Sequence, residues 1–316
     1  MTGRWPYKPF IKWTVALVIF AFLGKMVWEN WNQLEGASFT FRFLPFLVST
    51  LLFVLSYFIQ VWAWYLITLR LGIAIPLKET VESWFYSQLG KYLPGKVWLF
   101  LGRLYLYGSK GKSKKTVIVA LYFETVTVVM AAGLVFLVSL FFLREIQPPA
   151  PWISSAWLIP LFFLCFLFLH PRVLQEIFNK ILQALKRAPI SIFISYMETL
   201  SIVGVCVLSW LVGGIGFYLF VDSVFAVSSG YLLMLTGALA ISSTLGLIAL
   251  FAPSGLGVRE GVLVYLLSAI MPGSVAIVLS ILTRLWMTFI EIGLIGVVYL
   301  IDKIKGEREE SQHGKT

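Results

Sequence analysis

Six ionisable side chains fall in or beside apolar stretches of this chain: Glu124, Glu198, Arg259, Glu260, Arg284 and Glu291. Each costs at least ~2–3 kcal/mol in a bilayer unless paired or wet, so the fold must give each a partner or water. Arg284 and Glu291 are two helical turns apart and share one face. Such groups serve as interhelical ion pairs, as the lining of a polar groove for a charged headgroup, or as both. A further basic cluster lies in "SQLGKYLPGKVWLFLGRLYLYG", Ser87 to Gly108. There Gln88, Lys91, Lys96 and Arg103 accompany Tyr92, Trp98 and the breaks Gly90 and Pro94-Gly95. Lysine and arginine bind phosphate, arginine through a bidentate fork. Tyr92 and Trp98 suit a membrane interface, and amides freed around Pro94-Gly95 add donors.

Other chemistries lack their residues. Cys165 and Cys206 lie in apolar runs and imply no disulfide framework. His170 and His313 have no metal-ligand partner at suitable spacing, so neither a metal nor another cofactor is expected. No nucleophile elbow is present. In "GLGVREG" the third glycine comes one residue late for a dinucleotide fingerprint, and no strand precedes it.

The elements that must position these residues are membrane helices. Hydrophobic residues make up 59% of the chain, charged residues 13%, and mean hydropathy is +0.89. A soluble chain carries roughly a quarter charged residues. Apolar runs long enough to span as helices cover 13–28, 43–69, 116–143, 152–169, 195–221, 230–251 and 275–301. Strand alternation is absent, which excludes a β-barrel. Arg4, Lys8 and Lys12 precede the first run, but no small-residue cleavage site follows, so it is read as an anchor and not a signal peptide. The expected fold is one integral domain over 1–316: an all-α polytopic membrane protein of about eight transmembrane helices with Pro/Gly-broken re-entrant segments.

Twenty of the 25 basic residues fall on one side if the N-terminus, 70–115, 171–194 and the C-terminal tail share it. The positive-inside rule makes that side cytoplasmic, in the cell membrane, with both termini inside. The net charge of +10 thus reports topology and anionic lipid contact, not nucleic-acid binding. Under this topology 79–107 leaves and returns on one side as a re-entrant hairpin broken at Pro94-Gly95. The second broken stretch, 253–271, contains Pro253, Ser254, Gly255 and Gly257 and is expected to cross. Residues 171–187 repeat apolar positions at helical spacing and read as a cytoplasmic amphipathic helix, followed later by a polar tail over 303–316. "YFETVTVV" at 122–129 echoes "YMETLSIV" at 196–203, which would place Glu124 and Glu198 alike near the starts of their spans.

Several of these features together resemble the lysylphosphatidylglycerol synthase transmembrane family. They are "Q-x-GKYLPGKVW" at 88–98 with Gly102-Arg103, Glu124, "HPRV" at 170–173, "PSGLGVREG" at 253–261 and Arg284. The resemblance implies a flippase-like membrane protein, a stand-alone member with no synthase domain and therefore no lipid aminoacylation by this chain. Many relatives carry Glu-Arg where this chain has Glu124-Thr125, which leaves the partner of Glu124 open. The expected function is movement or binding of an anionic or polyprenyl-linked lipid headgroup through a polar groove. The implied substrate is a membrane lipid or lipid-linked sugar, with a glycosyltransferase or lipid-modifying enzyme as a possible partner. The alternatives are a membrane glycosyltransferase or its integral partner acting on polyprenyl phosphate, and a proton-coupled solute transporter.

Overall fold

A computed structural model describes residues 39–92, 97–142, 170–184, 194–249 and 255–313, together with Lys25, Trp28, Pro160, Lys186 and Pro189. The expected spans over 13–28 and 152–169 lie almost wholly outside these residues, as do Pro94, Gly95, Lys96, Pro253 and Ser254. The helices are α1 (Phe43–Arg70), α2 (Leu77–Gln88), α3 (Val97–Ser109), α4 (Lys114–Phe142), α5 (Pro171–Ala184), α6 (Tyr196–Val224), α7 (Leu232–Ile248), α8 (Val258–Leu267) and α9 (Gly273–His313). A 3₁₀ turn, Leu89–Tyr92, follows α2. Among the described residues there is no strand, and five helices are long and apolar enough to cross a membrane: α1, α4, α6, α7 with its preceding turn, and α9. The chain is an all-α polytopic membrane protein.

The frame is α1, α4, α6 and α7, packed through small and hydroxyl residues. In lipid, helices gain little from apolar contact alone and associate where backbones approach closely. On α6, Ser209 Oγ donates to the Ser56 carbonyl of α1 at 2.9 Å, and Gly213 lies against the Ser56 side chain. Gly237 of α7 faces Ser139 of α4 with no room for a Cβ. Ion pairs pin both ends of the antiparallel α1–α6 pair: Arg42 with Asp222, and Arg70 with Glu198 at 3.0 Å.

Helices α2 and α3 form a hairpin against α9. At its base Lys78 Nζ lies 3.2 Å from Asp302 Oδ1, Tyr86 donates to Asp302 at 3.0 Å, and Lys110 pairs with Glu79 at 3.1 Å. At its tip Lys91 pairs with Glu291. The climb from Asp302 to Glu291 along α9 is roughly 16 Å, about half of a ~30 Å hydrocarbon core. Gly90 sits against the backbone of Trp98 and Leu99, so the two arms meet just below the tip.

Helices α7 and α8 form a second hairpin from the opposite end. Gly255, at φ +73°, turns the chain against the Gly246 backbone, and Ile270 returns to the cluster around Tyr231 and Met234 at the start of α7. The α8 N-terminus meets Arg284 and Met287, near the middle of α9. Of the expected crossing over 253–271, Pro253 and Ser254 lie outside the described residues, and Gly255–Ile270 runs back beside α7. Helix α8 has ten residues, about 15 Å, too short to span alone.

The amphipathic segment expected over 171–187 appears as α5 over Pro171–Ala184. Leu174 and Phe178 are buried, the Phe178 ring lies 4.5 Å from that of Tyr122 on α4, and Arg172 and Lys180 are exposed. Its apolar face is thus seated on α4.

Candidate functional site

The two hairpin tips meet the frame around a cavity of about 460 Å³. Helix α1 contributes Tyr57 and Gln60 to its wall, α4 contributes Glu124 and Thr125, and α7 contributes Ser243 and Thr244. The α2–α3 hairpin brings Gln88, Lys91, Tyr92 and Arg103; α8 brings Arg259; α9 brings Arg284 and Glu291. Tyr57 and Glu291, 234 positions apart in sequence, are thereby joined on one wall.

Each charge has a specific environment. Arg103 is 1% exposed, with its guanidinium stacked over Trp64 at 4.4 Å. Its Nη1 lies 2.5 Å from Glu124 Oε2, and its Nε donates to Ser87 at 3.2 Å. Trp84 Nε1 donates to the other Glu124 oxygen at 3.2 Å. The open question of a partner for Glu124 is thus answered by α3, not by the neighbouring position of α4.

Glu291 is 1% exposed and accepts from Lys91 and from the Tyr57 hydroxyl at 3.4 Å, both on Oε2. Its Oε1 has no partner among the described residues. Arg284 Nη1 lies 3.3 Å from Glu260 Oε1, and Glu260 Oε2 accepts from the Gly257 amide at 2.8 Å. Glu260 therefore caps α8 and orients Arg284 together. Arg259 touches the Met287 thioether, and among the described residues no carboxylate lies within ion-pair distance of it.

Not every candidate residue reaches the cavity. Glu198 is the third residue of α6 and closes a capping box with Ser195, where it also holds Arg70. Glu124 lies three turns into α4 instead, so the sequence echo does not place the two glutamates at one depth. Trp98 is 52% exposed on α3 and is not part of the wall. Glu260 acts behind the wall, through Arg284. Tyr57, Gln60, Trp84, Ser243 and Thr244 line the site without having been singled out in the sequence. Tyr57 and Gln60 are single residues in an apolar run, Ser243 and Thr244 belong to a Ser-Ser-Thr run and Trp84 to a polar helix, patterns shared with residues that merely pack.

A family model described as the lysylphosphatidylglycerol synthase TM region matches residues 10–296. No curated protein and no solved structure matches the chain.

Proposed function

The chain belongs to the lysylphosphatidylglycerol synthase TM region family, membrane proteins involved in lipid handling, and from that premise we propose that its cavity receives a lipid headgroup and passes it between leaflets. The observation that carries this reading is the convergence of Lys91, Arg103, Arg259 and Arg284 on one cavity at the level where two opposed hairpins end. A lipid crossing needs a polar route for its headgroup while its tails stay in hydrocarbon. Half-length helices supply such a route, because irregular backbone at membrane depth is tolerated where it lines a cavity. Ile248 belongs to the wall and is 54% exposed, which suits a mouth open sideways to acyl chains.

An incoming anion takes the place of a carboxylate on its cation. The pairs Lys91–Glu291 and Arg103–Glu124 compensate those two cations in the empty site. A displaced carboxylate stays beside the remaining cations of the cavity, so the occupied site leaves no buried charge without a counter-charge. The basic base of the α2–α3 hairpin faces the cytoplasmic leaflet in this scheme, as the distribution of lysine and arginine requires.

The test is leaflet exchange in reconstituted vesicles. Tail-labelled lipid should become accessible to an impermeant quencher faster with the protein than without it. Arg103→Ala should abolish the difference and Arg259→Ala should reduce it, while both proteins remain monodisperse. Wild-type exchange equal to protein-free vesicles would end the proposal.

A further inference from the structure

Three of the four cations on the cavity wall already have a carboxylate: Lys91 has Glu291, Arg103 has Glu124 and Arg284 has Glu260. Arg259 has only a thioether contact among the described residues. The described site thus holds four cations against three carboxylates, and the surplus charge belongs to Arg259.

Two hydroxyls on the same cavity wall are also unused among the described residues. On α7 two of the four hydroxyls bond back to their own helix: Thr236 to Leu232 at 2.8 Å and Ser242 to Leu239 at 3.1 Å. Among the described residues, Ser243 Oγ and Thr244 Oγ1 are buried without a partner, although both residues belong to the cavity wall. Thr244 is 4% exposed. Ser243 lies one turn before Gly246, on the same face of α7. A Cβ at Gly246 would stand 2.9 Å from the Arg259 Cβ, so this face of α7 abuts Arg259 directly. An unsatisfied buried donor costs free energy, and two such hydroxyls on the wall of a cavity that also holds Arg259 are explained if a ligand satisfies them.

Resting on the lipid reading above, we infer that the cavity selects a headgroup with one net negative charge, a phosphodiester held by Arg259, Ser243 and Thr244. One negative charge neutralises the site. A phosphomonoester with two charges leaves a buried excess of negative charge. A zwitterionic headgroup leaves Arg259 uncompensated, and an aminoacylated one adds a further cation. Each of those three states carries the penalty of an unpaired buried charge.

The experiment compares four tail-labelled lipids in otherwise identical vesicles at neutral pH: phosphatidylglycerol, phosphatidylcholine, phosphatidic acid and aminoacylated phosphatidylglycerol. Phosphatidylglycerol should exchange at least about tenfold faster than the other three, the factor expected for a hydrogen bond to a charged group. Arg259→Ala should remove that preference, and Arg259→Lys should keep part of it. Thr244→Val, which preserves shape, should slow phosphatidylglycerol alone and so tests the site without unfolding it. Equal exchange of all four lipids, or a preference that survives Arg259→Ala and Thr244→Val, would overturn the inference and leave lipid translocation standing. Uptake of soluble glycerophosphoglycerol without lipid exchange would support the charge assignment and overturn the lipid reading. No exchange of any lipid and no such uptake would overturn both.

Discussion

Arg284 and Glu291 stand two turns apart on one face of α9, and each grips the tip of a different hairpin. Arg284 holds Glu260 at the start of α8, and Glu291 holds Lys91 beyond the end of α2. The two hairpins approach from opposite ends of α9, so this short interval of one helix sets the distance between their tips. Anything that loosens one pair alters the cavity between them. The ion pairs hold the hairpins, and under the proposed function they are also groups that a headgroup engages.

The Arg103–Glu124 pair should be strongly coupled. Arg103→Ala leaves a carboxylate at the cavity that, among the described residues, keeps the Trp84 indole as its side-chain donor. Breaking one side of a buried pair costs about 3–5 kcal/mol. Arg103→Ala/Glu124→Gln should recover a large part of that loss. Thermal unfolding of the two single variants and the double variant in detergent provides the cycle, and additive losses would show the two side chains to be independent.

The sequence made part of this arrangement legible. Arg284 and Glu291 are charged residues in an apolar run, and helical periodicity alone places them on one face. The glycines and prolines at 90–95 and 253–257 interrupt runs that would otherwise span, which marks broken segments. Partner choice was not legible, because Arg103 and Glu124 meet only through the packing of α3 on α4. Glu198 is instructive in the other direction. Its echo of Glu124 points to a shared depth, yet Ser195-Tyr196-Met197-Glu198 is also a capping-box sequence, and local hydrogen bonding decides its place. Ser243 and Thr244 carried no signal, since hydroxyl residues in membrane helices ordinarily bond to their own backbone.

Two glycines with nearly equal backbone angles should respond differently to alanine. Gly111 has φ +74° and open space where a Cβ would stand, so Gly111→Ala pays only the left-handed conformational cost of about 1–2 kcal/mol. Gly255 has φ +73°, and a Cβ there would lie 2.5 Å from the Gly246 carbonyl oxygen. Gly255→Ala should cost clearly more and should disturb the α7–α8 tip. Unfolding temperatures measured side by side check this; equal losses would mean that the contact at Gly246 relaxes freely.

The base of the α2–α3 hairpin and the end of α9 should lie on one face of the membrane. Lys78 and Tyr86 reach Asp302, and Lys110 reaches Glu79, so these groups share a level. Single cysteines replacing Lys110 and Lys303 should both resist an impermeant maleimide applied to intact cells. A cysteine at Thr40, beside the opposite end of α6, should react. Labelling at Lys303 alone would contradict the pairing at Asp302.

Glu291→Gln should separate binding from release. The carboxylate neutralises Lys91 in the empty site, so its amide leaves a lysine without charge compensation at the tip of the hairpin. The lipid-free variant should unfold at a lower temperature than wild type. An anionic headgroup restores the missing charge, so added phosphatidylglycerol should raise the unfolding temperature of Glu291→Gln more than that of wild type, by mass action on a tighter site. The same change removes the group that reclaims Lys91 when the headgroup leaves, so leaflet exchange should slow although binding is stronger. Thermal unfolding with and without phosphatidylglycerol, paired with exchange rates on the same preparations, checks both halves. A variant that binds more weakly and exchanges more slowly would show that Glu291 positions Lys91 for the headgroup instead of competing with it.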